Sequence, residues 1–97
     1  MPIFIKTEII KKEYLIQNDI RDKVINEHIN WIKKLNKRGI EIKSGFLVDE
    51  FNKPGAGGLL IIETNTYKDA LEIIRNDPMV KNNIVEWKLN QWIDINQ

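Results

Sequence analysis

Strand-patterned and helix-patterned segments follow one another in the order β-α-β-β-α-β, which predicts an α+β domain with one antiparallel sheet and two helices on one face. Three observations carry that reading. Residues 18–39 repeat apolar side chains at spacings of three and four, residues 40–49 alternate, and Leu59-Leu60-Ile61-Ile62 is apolar on both faces.

The first strand, Ile3 to Ile10, is β-branched and apolar, with Lys6 and Glu8 alternating along one side near its end. Lys11 to Gln17 is a charged connection, which Tyr14 and Leu15 are expected to anchor to the body. Asn18 or Asp19 caps the first helix, and Arg21-Asp22 begin its first turn. Gly39, after Lys37 and Arg38, suits the residue just past the helix end, with cations where the helix dipole favours them. At about 100° per residue, Ile20, Val24, Ile25, Ile29, Trp31, Ile32 and Leu35 gather on an arc of roughly 180°. His28, the single histidine of the chain, falls near the middle of that arc. Asn26, Asn30, Lys33, Lys34 and Lys37 fall opposite, so the imidazole is expected to face the core or a pocket beside it.

Ile40 to Asp49 is the second strand, with Ile40, Ile42, Ser44, Phe46 and Val48 on one face. Asn52-Lys53-Pro54-Gly55 supplies turn chemistry, and Gly57-Gly58 leads into the third strand, Leu59 to Glu63. Being apolar on both faces, that strand is expected at the centre of the sheet. Asn65 or Thr66 caps a second helix whose stripe is Tyr67, Ala70, Leu71, Ile73 and Ile74, and Asp77-Pro78 stops it. Met79 to Asn83 is a short connection. Ile84 to Ile95 is the last strand, with Ile84 and Trp92 placing bulk on its otherwise polar face. The whole is the ferredoxin-like arrangement. Two helices cover one sheet face only, so Leu47, Trp92 and half of the third strand form an apolar patch that a second copy of the chain is expected to cover.

Composition narrows the function. Ninety-seven residues make one domain, and 42% hydrophobic with 30% charged residues is globular composition. A net charge of +1 gives no electrostatic reason to expect nucleic acid or an anionic membrane as partner. There is no cysteine, hence no disulfide framework or thiolate metal site, which suits a cytoplasmic protein. Charges interrupt the N-terminal residues too often for a signal peptide, and no run approaches a membrane span. One histidine without clustered carboxylate spacing supports no metal site, and no cofactor motif is present. The glycine-rich run at 54–58 leads into a strand, unlike a phosphate cradle, which opens a helix.

His28 is either a core histidine whose ring nitrogens are satisfied by its neighbours or, since the chain offers no other obvious group for the role, the candidate general base. Asp49, at a strand end, either starts the turn or orients the imidazole in one tautomer. Ser44 shares the face of Ile42 and is either bonded to the neighbouring ladder or in contact with a ligand. A serine-hydrolase triad of Ser44, His28 and Asp49 is disfavoured, because the serine sits in a regular strand without a nucleophile elbow. The tryptophans read as core or interface side chains, and Trp31, one helical turn from His28, is also a candidate ligand contact.

The set His28-x-x-Trp31-x-x-x-Leu35-x-x-x-Gly39, Ser44-Gly45-x-x-x-Asp49, Pro54-Gly55-x-Gly57-Gly58 and Asp77-Pro78 resembles the YCII-related (YciI-like) family. The resemblance spans about Val24 to Ile95. It implies a ferredoxin-like domain similar to the dimeric α+β barrel proteins, which associate by packing sheets. It also implies a histidine on the first helix, here His28, working with an aspartate. Asp49 and Asp77 both stand where the pattern favours aspartate, so both remain candidates, and Asp77 joins Ser44 and Trp31 as a possible ligand contact. Most members have no assigned reaction, and one relative is a dehydrochlorinase of chlorinated aromatics. The implied activity is a cofactor-free lyase or isomerase acting on a small cyclic or enolisable molecule; the rival is a non-catalytic small-molecule-binding or structural dimer. The longer, charged segment Lys11 to Asn18 departs from the family pattern.

Overall fold

The computed structural model describes residues 1–16 and 18–96. Its elements are β1 (Ile3–Ile10), a 3₁₀ turn (Lys12–Tyr14), α1 (Asp19–Lys37), β2 (Ile42–Val48), β3 (Pro54–Glu63), α2 (Tyr67–Ile74), α3 (Pro78–Lys81) and β4 (Val85–Trp92). The sheet order is β2-β3-β1-β4 with every neighbouring pair antiparallel, the ferredoxin-like topology expected of an α+β chain. Gln17, at the end of the expected charged connection, lies outside the described residues. No helix among the described residues is long and apolar enough to cross a membrane.

Register decides what each strand contributes to the helix-covered face. Phe4 is opposite Ile62, Lys6 opposite Leu60 and Glu8 opposite Gly58. Because side chains alternate, all of these lie on one face. Phe4, Leu60 and Ile62 form its core with Leu35, Ile42, Ala70, Ile74 and Leu89. A second cluster of Val24, Met79, Ile84 and Val85 closes the end nearer α3. The same register puts Ile3, Ile5, Leu59, Ile61, Leu47 and Trp92 on the face without helices.

Several boundaries differ from those the sequence pattern suggests, each for a physical reason. β3 begins at Pro54, not Leu59: glycines carry no alternation to read, yet Gly58 pairs with both Glu8 and Phe46. The turn lies just before it, where Asn52 takes φ +63° and Asp49 Oδ1 accepts from the amides of Phe51 (2.8 Å) and Lys53 (3.0 Å). β4 stops at Trp92, which pairs with Ile3 at the start of β1; beyond it no strand remains to pair with, and Ile93 and Ile95 are exposed. Ile84 precedes that strand and is wholly buried, so it does not sit on a polar strand face. Met79 to Asn83 contains a helical turn, because Pro78 is favourable at a first helical position and Asp77 caps it. On α1, Ile20 and Ile29, at the two edges of the apolar arc, are exposed, and the covered stripe narrows to Val24, Leu35 and the half-buried Ile25, His28, Trp31 and Ile32. The segment before α1 is held by Tyr14, packed on the second cluster, and by Arg21, which donates to the carbonyls of Tyr14 and Leu15; the Leu15 side chain itself is exposed.

The end of α1 closes as its sequence suggests. Gly39 donates to the Asn36 carbonyl (3.0 Å) and Ile40 to the Leu35 carbonyl (3.1 Å), the paired bonds of a Schellman cap. Gly39 has φ +84° and open space where a side chain would start, so a substitution there meets backbone strain alone. Gly39→Val is expected to cost about 1 kcal/mol or more. Chemical denaturation tests this, and an unchanged midpoint would contradict it.

Candidate functional site

Lys6, Glu8, Asp77, His28 and Ser44 form one connected chain of polar side chains running from the interior to the sheet edge. It begins at Lys6, an ammonium with no exposed surface on the central strand β1. Lys6 Nζ donates to Asp77 Oδ2 (2.5 Å) and to Glu8 Oε1 (2.7 Å). Asp77, also without exposed surface, turns its other oxygen to the His28 ring, 2.7 Å from Nδ1, and accepts from the Met79 amide at 2.9 Å. His28 Nε2 lies 2.8 Å from Ser44 Oγ at the sheet edge. Among the described residues no buried side-chain nitrogen or oxygen lacks a partner. That complete pairing is what makes such burial of charge tolerable.

Each member is held by a different element. Alternation along β1 delivers Lys6 and Glu8 to the same face. The middle of α1 supplies His28. The cap of α3 supplies Asp77, whose backbone at φ −60° and ψ 124° is extended while its carboxylate turns back onto the Met79 amide. Trp31, one turn along α1, lies beside the imidazole with ring centroids 5.7 Å apart and planes at 38°, fixing the ring's tilt. β2 supplies Ser44, two residues from the buried Ile42 but itself exposed, because the edge strand runs out from under the helices there.

Electrostatics set the protonation pattern. Burial would raise the Asp77 carboxyl, but the hydrogen bond from His28 and the nearby Lys6 charge outweigh it, and the group sits below its ordinary value. Asp77 is therefore a carboxylate and can only accept. The proton of the His28–Asp77 bond consequently belongs to Nδ1. In the neutral ring Nε2 is then the lone-pair nitrogen, and Ser44 donates its hydroxyl hydrogen to it. This is an imidazole locked in one tautomer with its basic nitrogen towards the open edge.

Of the sequence candidates, the structure brings together His28, Ser44, Trp31 and Asp77. Asp49 is not among them: its carboxylate is engaged by the Phe51 and Lys53 amides, the turn-starting arrangement. Lys6 and Glu8 are members that sequence reasoning missed. Charged residues in a strand read as a solvent face, and only the parity they share with Phe4 pointed inward. Among the described residues no group of three or more His, Asp or Glu side chains is placed to hold a metal ion.

A family profile described as the YCII-related domain matches residues 4–92. Comparison with curated proteins gives no match. Among solved structures, the chain is similar to 5-chloro-2-hydroxyhydroquinone dehydrochlorinase from Burkholderia phenoliruptrix, in complex with 2,5-dihydroxybenzoquinone. The TM-score is 0.72 at 18% identity, covering 97% of this chain and 96% of that one. It is also similar to the de novo designed protein Ferredog-Diesel, with TM-score 0.59, 15% identity, and coverage of 93% of this chain and 84% of that one. At these identities the likeness is one of fold.

The lowered Asp77 carboxyl has a consequence for stability. The native state favours the ionised group, so its contribution is complete above the ordinary value of 3.8 and is lost as pH falls through the lower folded-state value. Asp77→Asn should cost about 3 kcal/mol near neutrality, the low end for breaking a buried pair, since Lys6 keeps Glu8. The gap between variant and wild type should close as pH drops below 3.8. Urea denaturation across pH measures this, and a gap independent of pH would refute it.

Proposed function

The chain belongs to the YCII-related domain family, and within it we propose a cofactor-free lyase or isomerase that moves a proton on a small cyclic, enolisable molecule. The observation that carries this reading is the oriented imidazole: Nδ1 fixed by a buried carboxylate, Nε2 directed to an exposed serine. The dehydrochlorinase of similar fold, in complex with 2,5-dihydroxybenzoquinone, makes a hydroxylated ring a reasonable substrate class.

His28 Nε2 takes a proton from the carbon next to a carbonyl, with the substrate displacing the Ser44 hydroxyl. The C–H electron pair becomes the C=C bond of an enolate, and the carbonyl π pair moves to oxygen. The imidazolium so formed is stabilised by Asp77, which Lys6 and the Met79 amide hold in place without taking the proton themselves. Return of the proton to another carbon completes an isomerisation. In an elimination the carbonyl re-forms, the enolate C=C pair becomes a double bond to the neighbouring carbon, that carbon's substituent leaves as its anion with the bonding pair, and the imidazolium gives its proton to the departing anion or to water. Trp31 keeps its place beside the imidazole, and the displaced Ser44 hydroxyl is free to hydrogen-bond the substrate.

A second reading rests on the same network. Asp77 caps α3 and pairs with Lys6, so His28 could serve only to complete the neutralisation of a buried charge, in a binding or structural dimer. Exchange of α-protons in D₂O, followed by proton NMR over a panel of small cyclic ketones including 2-hydroxycyclohexanone, separates the two. Protein-dependent exchange is expected, falling roughly 10²- to 10⁴-fold in His28→Gln. Exchange that survives in the variant, or none across the panel, favours the second reading.

The quaternary proposal is a cytoplasmic homodimer formed through the helix-free sheet face. Ile9, Leu47 and Trp92 are exposed on it beside the half-buried Ile3, Ile5, Leu59 and Ile61, a contiguous patch of the kind monomers rarely leave in water. Sedimentation at micromolar concentration should give twice the 11.4 kDa chain mass. A single species at the chain mass would remove the proposal.

A further inference from the structure

Ser44 Oγ, the His28 ring and the Asp77 carboxylate stand in a line of hydroxyl, base and orienting acid. Oγ is 2.8 Å from Nε2, and Asp77 Oδ1 is 2.7 Å from Nδ1. The aspartate has no exposed surface, whereas the serine is exposed. It is Asp77, not the turn-bound Asp49, that completes the line. With the proton on Nδ1, the Nε2 lone pair faces the hydroxyl hydrogen. That is the arrangement from which a serine is deprotonated as it attacks a carbonyl carbon.

A serine within a regular ladder is ordinarily a poor nucleophile, because strands flank it and its amide is bonded; a nucleophile elbow removes both obstacles. An edge strand removes them as well. β2 is an outer strand of the sheet. Glu63 donates to the carbonyl of Glu41, the residue directly opposite, at 3.0 Å. Antiparallel ladders alternate between bonded and unbonded pairs, so Lys43 and Gly45 also face β3, and Ser44 and Phe46 turn their amides to the open edge. The Gly45 carbonyl oxygen does lie towards β3, 3.4 Å from where a Cβ on Gly58 would stand. Two outward amides on one strand are about 7 Å apart, too far to share an oxygen. The Ser44 amide is thus a single free donor beside its own hydroxyl. Phe46 follows on the same strand face, opposite Gly58, and its 72% exposure offers an apolar surface next to the hydroxyl.

We infer that Ser44 is a nucleophile that takes the acyl group of small, apolar carboxylic esters, with His28 as its base and Asp77 orienting that base. An Oγ lone pair forms the bond to the ester carbonyl carbon, the hydroxyl proton passes to Nε2, and the carbonyl π pair moves to oxygen, where the Ser44 amide meets it. The carbonyl then re-forms, and the alcohol oxygen leaves with its bonding pair and the proton from Nε2. Water repeats the sequence on the acyl-serine: its proton goes to Nε2, and Oγ leaves with the bonding pair and regains a proton. Each oxyanion donor is worth roughly 10²- to 10³-fold, so a one-donor cradle suits an ester and not an amide. This inference goes beyond proton transfer from carbon: it shares the locked imidazole but breaks a different bond in a different class of substrate.

The test is hydrolysis of 4-nitrophenyl acetate, read as nitrophenolate release, with peptide mapping of the chain after treatment with phenylmethanesulfonyl fluoride. The wild-type chain should release nitrophenolate faster than buffer and carry the sulfonyl group on Ser44. Ser44→Ala and His28→Gln should each lower the chain-dependent rate roughly 10²-fold. Ser44→Ala changes an exposed side chain, and it decides the matter if His28→Gln does not fold. A rate no faster than buffer, release that persists in Ser44→Ala, or a sulfonyl group confined to lysines would each overturn the inference. A rate kept in Ser44→Ala but lost in His28→Gln would assign the attack to the imidazole itself, and would overturn it too. The label on Ser44 is read without any carbon acid, so its presence or absence is a separate outcome from α-proton exchange.

Discussion

The buried contact between Lys6 and Asp77 is the constraint to which the other polar groups answer. Two opposite charges with no exposed surface are tolerable only when both are fully engaged. Asp77 meets that requirement with the His28 ring and the Met79 amide, and Lys6 meets it with Glu8. The imidazole's tautomer, the start of α3 and the inward course of Glu8 follow from one pair. An apolar pair of similar volume would pack as well, yet it would leave the ring free to turn over. The charges therefore specify a geometry more than they add stability, which is the use to which buried polar groups are best suited.

Much of the fold was legible because burial and periodicity agree in the long elements. The stripe on α1, the Schellman glycine and the doubly apolar β3 each follow from local chemistry, and the strand order follows from their connection. What was not legible depends on partners distant in sequence. β3 hid its first residues behind glycine, and β4 ended where β1 offers no further neighbour. Asp77-Pro78 read as a stop to one helix and was equally the start of another, since the same dipeptide serves both purposes.

The site divides along the same line. His28 could be read because one helical face frames it, and Ser44 because it shares parity with Ile42. Asp49 and Asp77 were indistinguishable in sequence: each precedes a turn, and each suits a cap. The choice between them is made in space, 49 residues from His28 along the chain, by the packing of α3 against α1. Lys6 escaped notice because a lysine in a strand is ordinarily solvated, and only its alignment with Leu60 on the neighbouring strand carries it inside.

That alignment bears on how this sequence can change over evolutionary time. Lys6 and Glu8 both point inward because they stand an even number of residues from Phe4, so the arrangement depends on counting as much as on identity. One residue inserted or deleted between Phe4 and Lys6 would rotate both charges to the open face and bring Thr7 and one isoleucine into their places, whatever side chain was added. The segment between β1 and α1 carries no such parity. Lineages related to this one should therefore vary freely in length after Ile10 and hardly at all before it.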